Sequence, residues 1–131
     1  MNKSFLTFND CKYITKEEHK KLYERCNPEK NDLLLTKVGT TGIPAIVDVE
    51  FEFSLFVSVA LIKTLHNYII PKYLWLLFKS RYVHNLCTSN TKGVNKNLVI
   101  DSIKDFIIPI PPLNMQKDIV EKVLLLINFF K

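Results

Sequence analysis

Apolar positions along this chain change period several times, and each change predicts a new element. Thr15, Lys16, Glu17 and Glu18 have the spacing of a capping box, which predicts a short, mostly polar helix. It should run to about Arg25 and stop at Asn27-Pro28. Residues 31–38 read as a strand, and Gly39-Thr40-Thr41-Gly42 as a turn. Ile43, Ala45, Val47, Val49 and Phe51 then alternate with mostly polar neighbours, which completes a β-hairpin. Strict alternation continues at Phe53, Leu55, Val57, Val59 and Leu61, predicting a third strand that ends near Lys63.

Helical spacing returns after Pro71, a residue suited to the first turn of a helix. Tyr73, Leu74, Leu77 and Phe78 recur at that spacing, and Lys79 and Arg81 lie near the end where the dipole favours cations. Residues 84–97 are polar and read as a loop. A brief helical turn capped by Asp101 or Ser102 follows, then an extended piece whose prolines exclude it from a central strand. Asn114 is the expected cap of a last helix. Met115, Ile119, Val123, Leu126 and Phe130 form a coiled-coil-like seam along it, and Leu124, Leu125, Ile127 and Phe129 make its end apolar nearly all round. The expected fold class is α+β: a small mixed, mostly antiparallel sheet with short helices, followed by a projecting C-terminal helix.

Composition narrows the class. Of the 131 residues 47% are hydrophobic and 24% charged, as in an ordinary globular domain. The longest apolar stretches fall well short of the roughly 20 residues that span a bilayer, so no membrane partner is expected. No secretory signal is visible, and Cys11, Cys26 and Cys87 lack metal-ligand spacing. Reduced thiols in the cytoplasm are the expectation.

Charge changes the picture more. Residues 53–100 contain no Asp or Glu, yet hold Lys63, Lys72, Lys79, Arg81, Lys92 and Lys96. The rest of the chain is nearly balanced, so the net charge of +5 belongs to this segment. Such a distribution suits a polyanion, and reading duplex DNA needs polar side chains at base edges with cations on phosphates. Three segments offer both. The hairpin turn has Lys37, Thr40 and Thr41. The helix end has Lys79, Arg81 and His84. The loop has Ser89, Asn90, Thr91, Lys92, Asn95, Lys96 and Asn97. A tight turn and a solvated loop without a partner are the alternative.

Enzyme chemistry finds little support. Residues 109–113, Pro-Ile-Pro-Pro-Leu, invite comparison with the Asn-Pro-Pro-Tyr motif of adenine methyltransferases, but Ile110 and Leu113 replace its polar and aromatic groups, and no Gly-rich cofactor loop accompanies them. Cys87 with His84 lacks an orienting third group, and His19 with Cys26 is too few ligands for a metal. Asp48, Glu50 and Glu52 alternate on one strand face without a second carboxylate cluster. No catalytic residue, metal or cofactor is expected.

In this order the segments resemble the target-recognition domain of the specificity subunit of type I restriction–modification systems. Residues 13–22 resemble the helix before the core strands, residues 30–47 the hairpin, and residues 71–80 the family's helix. Residues 91–120 resemble its closing signature, here Pro111, Pro112 and Leu113 followed by Gln116, Ile119 and Val120. The resemblance covers about residues 13–123. Asn31 stands where the family usually has Gly before Asp32. Only 12 residues precede Tyr13, where the family domain opens with a longer strand-rich stretch, and no second recognition domain is present. A partial recognition domain over residues 1–112 and the start of a coiled-coil spacer helix over 113–131 are therefore expected. The resemblance implies a non-catalytic module that reads double-stranded DNA and directs modification (methyltransferase) and restriction subunits. Ile119, Val123, Leu126 and Phe130 would form its subunit interface. The alternative is a truncated protein that does not bind DNA and pairs, with itself or another specificity subunit, through its apolar helix.

Overall fold

The structure, a computed structural model, describes residues 6–129. Its elements are α1 (Lys16–Arg25), β1 (Leu33–Thr36), β2 (Pro44–Ile46), β3 (Val59–Ile62), α2 (Pro71–Lys79), α3 (Arg81–Ser89), β4 (Thr91–Lys92), β5 (Asn97–Leu98), α4 (Ile100–Lys104) and α5 (Leu113–Phe129). The class is α+β, with a three-stranded antiparallel sheet in the order β2-β1-β3 and a separate β4–β5 hairpin.

β1 is central and buried on both faces, as its run of three leucines requires. Leu33 and Leu35 enter a core with Leu74, Trp75 and Phe78 of α2, Val83 and Cys87 of α3, and Leu98 of β5. Leu34 faces the other way, with Val47 and Leu55. Phe8 closes that side, its ring centroid 5.0 Å from Phe51 and 5.5 Å from Phe53. α1 begins at Thr15, whose Oγ1 accepts from Glu18 N–H at 3.2 Å, and is held to the body through His19, 2.7 Å from Ser54 Oγ.

The expected hairpin is present, though its second strand covers Pro44–Ile46 rather than residues 43–51, and four further expectations need correction. The third strand is short. β1 offers partners only from Leu33 to Thr36, these are taken by Val59 to Ile62, and Val57 of the expected strand is exposed. Upstream residues pack by burial of Leu55 and half-burial of Phe53, without a ladder. Residues 84–97 are not one loop. α3 fills most of their first half, started by Ser80, whose Oγ accepts from Val83 N–H at 3.3 Å. Val83 and Cys87, one turn apart, are its buried positions. Finally, α5 begins at Leu113, so Asn114 lies inside its first turn, with Oδ1 accepting from Met115 N–H. The brief α4 starts after Val99 without a side-chain cap, and Asp101 instead faces Lys104 at 3.3 Å.

Where β1 begins, Asp32 is buried and its Oδ2 accepts from Glu29 N–H at 2.9 Å and from Lys63 Nζ at 2.9 Å. Burial alone would lower the Lys63 ammonium pKa, but hydrogen bonds to Asp32 and Glu29 outweigh it and raise it. Its stabilising contribution is therefore complete below the ordinary lysine value and lost as pH climbs through the raised one, a strictly alkaline window.

Asn31 has φ of 75°, the left-handed region. Glycine adopts this conformation most freely, and Asn is the side chain that tolerates it next best. Its N–H donates to Val47 C=O at 2.8 Å and its C=O accepts from Thr64 Oγ1 at 3.2 Å, so the backbone cannot relax elsewhere. Asn31→Gly should leave stability within about 0.5 kcal/mol, whereas Asn31→Val should lower it by roughly 1–2 kcal/mol. Urea denaturation midpoints of the two variants check this.

Candidate nucleic-acid interface

Beyond β1 the chain stays bonded to both neighbours. Lys37 N–H donates to Ser58 C=O, and Lys37 C=O accepts from Leu98 N–H, both at 2.7 Å. The 37–43 turn, the 56–58 turn and the β4–β5 hairpin thus meet at one end of the sheet. Gly39 N–H adds a longer bond to Asn95 C=O at 3.4 Å. Thr36 shapes the turn from within: its Oγ1 donates to Thr40 C=O at 2.6 Å and accepts from Ile43 N–H at 3.0 Å. Sequence reasoning passed over this residue, although a threonine just before a glycine-bounded turn is the available signal.

Gly42 seats the turn on α3. Its φ is 80°, and a Cβ there would stand 3.0 Å from Cys87 Cβ and 3.8 Å from His84 Nδ1. Burial pushes the Cys87 thiol pKa up, which makes it a poor nucleophile and leaves it as packing. His84 itself is exposed beside the turn.

These contacts bring together Lys37, Thr40, Lys92, Asn95 and Lys96. Lys37 is half-buried and the other four are exposed. The structure places the remaining expected residues differently. Thr41 is buried at 6% exposure, so its hydroxyl does not reach the surface. The Asn90 amide donates to Leu86 C=O at 2.8 Å and closes the end of α3. Arg81 opens α3 at the end opposite the hairpin, about 12 Å away at 1.5 Å rise per residue. Lys79 ends α2 with its Nζ 4.5 Å from the Trp75 ring centre.

A second constellation holds the terminal helix. The segment between α4 and α5 is fastened by two tyrosines: Tyr82 Oη donates to Ile107 C=O and Tyr73 Oη to Pro109 C=O, each at 2.8 Å. Burial raises the Tyr73 phenol pKa, in keeping with a hydroxyl that keeps its proton for that bond. Gln116, fully buried on α5, accepts from Ile70 N–H at 2.8 Å. Its Nε2 donates to Tyr68 C=O at 2.7 Å and Pro111 C=O at 2.8 Å. Gln116 and Val120 are the buried residues of α5. Ile119 and Val123 are half-buried, while Leu125 and Leu126 are 70% and 57% exposed. Of the expected seam, Phe130 lies outside the described residues.

The fold has a counterpart among solved structures. It is similar to the HsdS subunit from Thermoanaerobacter tengcongensis, whose crystal structure matches with a TM-score of 0.66 at 20% identity, over 79% of this chain and 28% of that one. The family model of the type I restriction modification DNA specificity domain matches residues 2–129, and the chain belongs to that family. It is 28% identical over 124 residues to the Type I restriction enzyme EcoBI specificity subunit of Escherichia coli, covering 94% of this chain and 26% of that protein. The chain spans about a quarter of the length of these relatives.

Removing the Gln116 amide would strand a buried N–H and two carbonyls. Each lost partner costs about 1–3 kcal/mol, partly relieved by water, so Gln116→Leu should lower stability by roughly 3 kcal/mol. Chemical denaturation measures this, and protease should cut earlier near residue 112.

Proposed function

We propose that this chain is a DNA target-recognition module of a type I restriction–modification specificity subunit, working in the cytoplasm without catalytic chemistry of its own. Residues 1–112 form the reading body, and residues 113–131 begin a spacer helix. The observation that carries the reading is the gathering of Lys37, Thr40, Lys92, Asn95 and Lys96 at one end of the sheet, within a family of DNA specificity domains. Lys92 and Lys96 would contact phosphates, and Thr40 and Asn95 base edges, where Asn pairs well with adenine. Lys79, at the end of α2, and Arg81, at the start of α3, would serve at most the flanking backbone.

The partners are double-stranded DNA and the modification and restriction subunits. The protein interface lies further along α5 than the seam alone suggests. Ile119 and Val123 are half-covered within this chain, while Leu125 and Leu126 present apolar surface. A helix end of this kind invites a partner helix in a coiled coil, including one from a second copy.

The test is co-expression with a modification subunit, followed by retention of duplex DNA at rising salt. A stable complex whose affinity falls steeply with salt is expected, because released counterions accompany each phosphate contact. Lys92→Ala with Lys96→Ala should flatten the salt slope by about two. Salt-independent association through α5 alone would favour the helix-pairing alternative.

A further inference from the structure

The β4–β5 hairpin carries a residue that the charge pattern does not single out. Its tip is Gly93-Val94-Asn95-Lys96, closed by Lys96 N–H donating to Gly93 C=O at 3.2 Å. Val94 at this tip is 100% exposed. A lone exposed apolar residue is ordinary on a protein surface. This one differs in its mounting and its neighbours. The hairpin is tied at two points to the turn after β1, by Leu98 N–H on Lys37 C=O and by Asn95 C=O under Gly39 N–H. Gly93 and Lys96 both take positive φ, 77° and 47°, and the two residues between them are exposed. Exposed Lys92 and Lys96 flank it.

A braced two-stranded ribbon that offers one isopropyl group between two cations has a natural counterpart in the major groove. Such ribbons fit that groove, and the 5-methyl of thymine is the apolar group on its base edges. We propose that Val94 is a specificity-determining residue that packs against a thymine methyl while Lys92 and Lys96 hold the phosphates beside it. The inference rests on the DNA-reading function above and adds a base class to it.

The test begins by selecting duplexes from a randomised pool with the full chain at low salt. Each thymine of a selected duplex is then replaced singly by deoxyuridine, which removes only the methyl. One replacement should weaken wild-type binding about fourfold, the effect of a lost methyl contact. Val94→Ser should bind both duplexes equally, with an unchanged salt slope. Val94 is fully exposed, so the variant keeps the fold. Wild-type binding indifferent to every replacement, or a Val94→Ser chain that still senses the methyl, overturns the assignment and leaves DNA reading intact. Failure of the wild type to retain any duplex overturns both.

Discussion

The structure depends on a four-residue strand that is buried on both faces. Leu33, Leu34 and Leu35 can only be satisfied at the centre of a layered body, with helices on one side and the 47–55 segment on the other. Because β1 is central, the residue that follows it has an open backbone group on each flank. Lys37 fills both, toward Ser58 and Leu98. The loops that carry the polar and basic side chains are therefore attached to the buried central strand. Base reading requires this, since side chains must meet base edges within hydrogen-bond tolerance.

The second attachment works by satisfying backbone groups rather than by apolar area. The proline-rich segment cannot join a ladder, so its carbonyls need other donors. Tyr73, Tyr82 and Gln116 supply them, and Gln116 also takes the free N–H of Ile70 just before α2. Helix α5 thereby leaves the body at a set angle, with its buried positions early and its exposed leucines late. A partner gripping Leu125 and Leu126 would be held in fixed register to the loops at the other end of the body.

How much of this could be read beforehand follows from where the deciding interactions lie. The first hairpin, α1 and α2 are set by local patterns, a leucine run, a threonine cap and Pro71, and these were legible. α3 was not, because its burial rests on Val83 and Cys87 alone and the residues around them are mostly polar. Ser80 three residues before Val83 was the overlooked cap. Alternation carries the expected third strand back to Phe53 because a pattern of apolar positions does not show how long the partner strand is, and a ladder needs one of equal length. Of the candidate site, Lys37, Thr40, Lys92, Asn95 and Lys96 were legible as a group by charge and turn chemistry. Thr41 and Asn90 were not separable from them, since inward packing and helix closure are tertiary facts. Gln116 was legible only through family resemblance, because nothing in periodicity marks a glutamine as buried.

If one end of the sheet rather than the terminal helix faces DNA, amide hydrogen exchange of the chain with and without a mixed-sequence duplex at low salt will reveal it. Slowed exchange is expected in residues 37–43 and 91–98, with α5 unchanged. Protection confined to α5, or none in either loop under conditions where the duplex is bound, would contradict it.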